Sequence, residues 1–188
     1  MIYLPAIDRS TDIKRRSKMK KRNYLFALFI SISMTLVLLH DAIAEDPAVT
    51  RTRHQVHMLD TLYKNAVVLI TDKYVTDPSV FSAASAAGAL FQVMKDNGFH
   101  EVRLIGLTDV LINPAVNNPQ DAFEEEVKHK LLAGEASHEE VVTIDGKRYL
   151  RMATAVPVVM ERCVMCHANF KGVDGAIGSL VYKVPLIE

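Results

Sequence analysis

Between Val56 and Tyr74 the apolar residues Val56, Leu59, Leu62, Tyr63, Ala66, Val67, Ile70 and Tyr74 return every three or four positions. This spacing predicts a long amphipathic helix that opens the folded part of the chain with one face buried. Asp77-Pro78 offers a cap and a first-turn proline, and Val80, Ala84, Ala87, Phe91 and Met94 carry the same rhythm to Asn97-Gly98, a left-handed stop. From Glu101 to Leu107 the period falls to two and predicts a strand. The turn-rich run from Asn113-Pro114 to Asn118-Pro119 supplies an Asn cap and first-turn proline for a third helix, acidic early, basic late, and ended by Gly134. Glu140 to Ile144, Asp145-Gly146, then Lys147 to Val156 reads as a hairpin with a two-residue turn, and Ile177 to Val184 as a closing strand. The order helix, helix, strand, helix, hairpin, short helix, strand predicts a single α+β domain over residues 45–188 with an antiparallel sheet.

The first 44 residues follow a different logic. Lys18 to Arg22 reads KMKKR, Tyr24 to Leu39 is an apolar run of 16 residues, and Ala42-Ile43-Ala44 ends in small side chains. That is the order of a secretory signal peptide with cleavage after Ala44. The apolar run falls short of the ~20 residues that a spanning helix needs, so a membrane is met only through this segment if it stays uncleaved. Met19-Lys20-Lys21-Arg22 would by itself make a compact start. The expected location is the periplasm.

Charge changes the picture of partners. The whole chain balances 22 basic against 22 acidic side chains, but eight of the bases and only three of the acids fall in residues 1–44. The remaining 14 bases against 19 acids make the body mildly acidic, which argues against nucleic acid. The two cysteines lie three positions apart, so no covalent staple spans the fold.

Those cysteines carry the chemistry. Cys163-Val164-Met165-Cys166-His167 is C-x-x-C-H, the attachment signature of c-type haem. On a helix, positions i, i+3 and i+4 share a face, so two thioethers from Cys163 and Cys166 hold the macrocycle while the His167 imidazole reaches the iron as proximal ligand. Pro157 fits the start of this short helix and Gly172 lies beyond its end. A thioredoxin-like reading would need a βαβ context, a structural zinc site a fourth ligand, and a disulfide across two residues would staple almost nothing. One covalent haem c is the expected cofactor. Candidates for the far side of the iron include His54, His57, His100, His129, His138, Met58, Met94, Met152, Met160, Tyr63 and Lys64, with His100 the histidine of most interest and Tyr63 a further candidate for the distal side. A solvent-facing role competes at His100, His129 and His138, and gap filling at Met94 and Met152. Arg151, on a hairpin arm before the motif, is a candidate partner for a haem propionate, against an ordinary surface arginine.

Four segments, LYKNAVVLITDKYV from Leu62, MKDNGFHEVRLIG from Met94, INPAVNNPQDAFE from Ile112 and KRYLRMATAVPVVMERCVMCH up to His167, together resemble a family of small exported haem-c proteins. These are catalogued as a domain of unknown function, first recognised structurally in cyanobacteria, with a sensor-like PAS fold. The likeness runs from about His54 to Val184. It implies a PAS-like antiparallel sheet of about five strands flanked by helices, with Cys163, Cys166 and His167 as haem attachment and proximal ligand. A cyanobacterial relative uses a cysteine as second axial ligand, and this chain has no third cysteine. Its iron is then five-coordinate or held by another residue, with the opening helix around His57 to Lys64 as the source.

The function these readings imply is a periplasmic monohaem protein in redox chemistry or in binding and sensing a diatomic gas of the NO type, not the turnover of an organic substrate. A simple electron shuttle to a redox partner protein and a haem enzyme acting on nitrogen oxides or peroxide are the alternatives.

Overall fold

A computed structural model describes residues 45–74, 82–108, 111 and 113–187, together with the backbone of Cys166. The signal segment 1–44 and the helix start expected at Asp77-Pro78 and Val80 lie outside the described residues. From Asp46 onward the chain forms one compact unit.

The opening helix, α1 (Pro47–Lys73), begins earlier than its apolar rhythm suggests. Asp46 is its N-cap, accepting from the Ala48 N–H at 2.8 Å, and Pro47 fills the first position, where a missing N–H costs nothing. Val56, Leu59 and Tyr63 are buried as expected, whereas Leu62 and Tyr74 face solvent. Helix α2 (Ala83–Asp96) is capped by Ser82 and stops at Gly98, whose φ of +72° suits the residue without a Cβ. Strand β1 (Glu101–Gly106) leads into a one-turn helix, α3 (Pro114–Asn117), and then α4 (Ala122–Leu132).

The α4 cap is Asp121, whose carboxylate accepts from the Glu124 N–H at 3.0 Å. The expected Asn118-Pro119 start is therefore corrected: Asn118 is extended, and its carbonyl accepts from Arg103. That arginine fastens residues 116–124. It reaches the carbonyls of Val116 and Asn118 and pairs with the buried Glu124, which also accepts from the Gln120 N–H.

Strands β2 (Ser137–Ile144) and β3 (Lys147–Pro157) pair through the Asp145-Gly146 turn, with φ of +50° and +75° at the two positions. Both signs are positive, as a type I′ turn requires. Strand β4 (Ala176–Pro185) lies between β3 and β1, giving a four-stranded antiparallel sheet of order β1-β4-β3-β2. The about five strands implied by the resemblance become four among the described residues. After β1 the chain meets Pro114 and Pro119, which lack the N–H a further ladder would use, and folds into α3 and a loop.

Both sheet faces are covered. Leu150, Met152, Leu180, Tyr182, Val184 and Val102 pack under α1 and α2, and Ile105, Leu107, Ala153 and Val181 pack against Phe123, Val127 and Leu131 of α4. Because β4 is central and sandwiched, its Gly178 to Tyr182 run is buried at every position. A strand buried on both sides loses the apolar–polar alternation.

Replacing Arg103 by Met leaves the Glu124 carboxylate buried without its cation. We expect this to cost about 3 kcal/mol, the lower end for an orphaned buried charge, because the Gln120 and arginine-independent contacts persist. Urea unfolding measures it, and an unchanged midpoint would mean the pair is not holding the loop.

Candidate functional site

The antiparallel register between β3 and β4 runs from Tyr149↔Pro185 to Pro157↔Ala176, with an irregularity at Val156/Pro157. Residues 158–175 are therefore a loop whose two ends are clamped together by the central strands, and the C-x-x-C-H lies within it. Pro157 ends β3; it does not start the motif helix, which corrects that expectation, since its fixed φ and missing N–H suit the last rung of a ladder. The motif itself forms a single turn, α5 (Cys163–Cys166), followed by a 3-10 turn at Ala168–Phe170.

His167 is the C-cap of α5, with φ −121° and ψ 56°, and its N–H bonds the Cys163 carbonyl. The helical backbone expected for all three residues extends over Cys163–Cys166, and His167 leaves it by a non-helical step. The imidazole is half-buried and stacks on Phe170 with centroids 5.6 Å apart and planes 25° from parallel. Burial lowers its basicity below the ordinary 6.5, which favours the neutral ring that a metal ligand must be. Cys163 is a free, half-buried thiol. The Cys166 side chain lies outside the described residues. Around the turn, Val159, Met165 and Val173 expose apolar side chains to solvent. Free thiol, neutral imidazole and exposed apolar surroundings are a chemical match for a covalently held porphyrin.

The loop leans on α1. Arg162, immediately before Cys163, donates to the Asp72 carbonyl at 2.8 Å.

The other sequence candidates divide between the faces of the sheet. Tyr63 and His100 come together under α1 and α2: Tyr63 Oη and His100 Nε2 are 2.9 Å apart, and both residues are buried. The solvent-facing reading of His100 is thereby corrected. It follows a turn, but the strand it introduces carries it under Tyr63 and away from water. Burial raises the Tyr63 phenol and lowers the His100 imidazole, so a protonated Oη donates to a neutral Nε2. For either residue to approach an iron, this bond has to open. Tyr63 also packs edge-on against Phe91 and stacks on Tyr182.

Arg151 lies on the opposite face. Its guanidinium reaches Asp121 at 2.7 Å and Glu140 at 3.3 Å and covers the Phe123 ring at 4.3 Å. A propionate at Arg151 has to displace one of these carboxylates. His138 stacks on the same Phe123 at 5.5 Å and meets Lys130, so its expected solvation is only partial, while His54, His57 and His129 are exposed. Met152 is core, as its apolar setting suggested.

Sequence reading missed the polar cluster beneath α1, where Asp60 and Lys64 meet Thr154 and Tyr182. The available signal was their i, i+4 spacing on the border of the apolar face.

Comparison with known families decides relatedness. The family model described as Tll0287-like (Tll0287) matches residues 19–179. The chain belongs to the Tll0287-like family. This family is a domain of unknown function, so membership of the Tll0287-like group states common descent and leaves the chemistry to the site. No curated protein matches this Tll0287-like chain. Among the described residues no helix is long and apolar enough to cross a membrane, and no three His, Cys, Asp or Glu side chains form a metal cage.

The buried neutral His100 makes stability depend on pH. Its folded affinity for protons is below that of the unfolded imidazole, so the unfolded chain binds more protons below the ordinary value and stability is lost as pH falls. The urea midpoint of the parent is expected to drop between about pH 7 and about pH 5 more steeply than that of His100→Gln. Parallel slopes would contradict the neutral, water-excluded ring.

Proposed function

We propose that this chain is an exported monohaem c-type protein whose PAS-like α+β domain serves redox chemistry or the binding and sensing of a diatomic gas of the NO type in the periplasm. The observation that carries this reading is the C-x-x-C-H turn held in a loop clamped at its base by β3 and β4, with a free thiol at Cys163 and a half-buried imidazole at His167.

Each residue has a separable task. Cys163 and Cys166 supply the two thiols for thioether attachment. His167, held by its backbone bond to Cys163 and by stacking on Phe170, presents a neutral nitrogen as the proximal ligand. The clamp at Pro157↔Ala176 keeps the loop from swinging, and Arg162 ties it to α1. When bound, the haem supplies a one-electron couple and, if its sixth position is open or weakly held, a site for a small ligand.

Residues 1–44 carry the export signal in this reading, which places attachment outside the cytoplasm, with cleavage after Ala44. The partner is then a redox protein or the gas itself. The mildly acidic body does not recommend nucleic acid.

Two measurements test this. Cys163→Ala and Cys166→Ala, each made in a host that matures c-type cytochromes, are expected to leave little covalently loaded protein; normal loading in both would refute the attachment scheme. The optical spectrum of the parent then separates the roles. High-spin iron that binds NO at once supports gas binding, and low-spin iron indifferent to NO and CO supports a plain electron shuttle. Steady turnover of nitrite, hydroxylamine or peroxide would instead make it an enzyme.

A further inference from the structure

The face of the sheet beneath α1 holds a polar cluster to which none of the roles above assigns a task. Asp60 Oδ1 accepts from the hydroxyls of Thr154 at 2.5 Å and Tyr182 at 3.0 Å, and its Oδ2 pairs with Lys64 Nζ at 2.9 Å. Lys64 also donates to Thr154 Oγ1 at 3.0 Å and to the Ala155 carbonyl at 2.8 Å. An ammonium has three donors, and here all three are directed at protein acceptors. Its lone pair is tied up by a proton, so Lys64 in this arrangement is a charge and not a metal ligand. The pair is partly withdrawn from water, with side-chain exposures of 15% for Asp60 and 28% for Lys64.

Its position along the chain gives the cluster meaning. Ala155 is two residues before Pro157, where the attachment loop leaves the sheet, and Arg162 at the other contact binds the Asp72 carbonyl. From Lys64 to Asp72, roughly 12 Å of helix at 1.5 Å per residue, α1 is tied to both ends of the stretch that leads into Cys163. Charges half-withdrawn from solvent act over such distances with less screening than exposed ones.

We propose that Asp60 and Lys64 are positioning residues that set the reduction potential of the iron bound at the C-x-x-C-H, acting through their charges and not by ligation. The inference rests on the haem reading given under Proposed function. A cation favours the reduced iron and a carboxylate the oxidised one, so the paired state holds two opposed influences in balance. Removing one member exposes the other. At an effective dielectric constant of about 20, a unit charge acting over roughly 12 Å, the length of α1 between Lys64 and Asp72, is worth about a tenfold change in the reduced-to-oxidised ratio at fixed potential.

The test is a spectroelectrochemical titration of the full chain, matured with haem and checked for attachment by intact mass. Lys64→Met is expected to lower the midpoint potential and Asp60→Asn to raise it. The double variant is expected to return near the parent, and Lys64→Arg to retain the parent value. A merely structural role shifts both single variants in the same direction, so shifts of like sign, or none in attached protein, would overturn the proposal. Attachment lost in all these variants but kept in the parent would overturn it too, by assigning the pair to folding alone. A parent without covalent haem defeats the haem reading itself, an outcome visible in the mass before any titration.

Discussion

The pairing of β3 with β4 is the constraint on which the rest of this structure depends. These two strands are neighbours in the sheet although a long loop separates them in the chain, and their ladder extends to Pro157↔Ala176 at the mouth of that loop. Everything that gives the loop a fixed place follows from the ladder. Because β4 is covered by β1 and β3 at its edges and by helices on both faces, the residues that anchor the loop are among the least able to move. A flexible excursion is thereby turned into a site with a rigid base, the usual way in which a fold presents functional residues.

The two faces of the sheet divide the labour. On one, α1 and α2 enclose the Tyr63–His100 pair and the Asp60–Lys64 cluster, and α1 continues to the Arg162 contact. On the other, α4 packs through Phe123, Val127 and Leu131, with Arg103–Glu124 fastening the preceding loop and Arg151 held between Asp121 and Glu140. The loop that holds the C-x-x-C-H is joined to α1 on the first face by the Arg162–Asp72 hydrogen bond. The second face bears ion pairs that tie loop and helix to the sheet.

Much of this was legible in the chain. The Asp145-Gly146 hairpin, the left-handed stops at Gly98 and Gly134, and the opening helix follow from turn chemistry and period alone. What sequence could not show is which charged side chains end up inside. Arg103 and Glu124 are 21 residues apart, and Asp60 and Tyr182 are 122 apart, so no local pattern joins them. His100 illustrates the same limit: its neighbours in sequence suggest a turn and a strand start, and only the packing of α1 and α2 on the sheet reveals that it is buried beside Tyr63. The resemblance implied about five strands, and four are present among the described residues. At the motif, spacing overstated the helix, which ends before His167.

The central claim is that a porphyrin is joined to residues 163–167 after export. Intact-mass analysis of the exported chain, produced with a working cytochrome maturation system, tests it most directly. The account predicts the mass of the polypeptide beginning at Glu45 plus one haem, surviving denaturation. A mass equal to the bare polypeptide would contradict it.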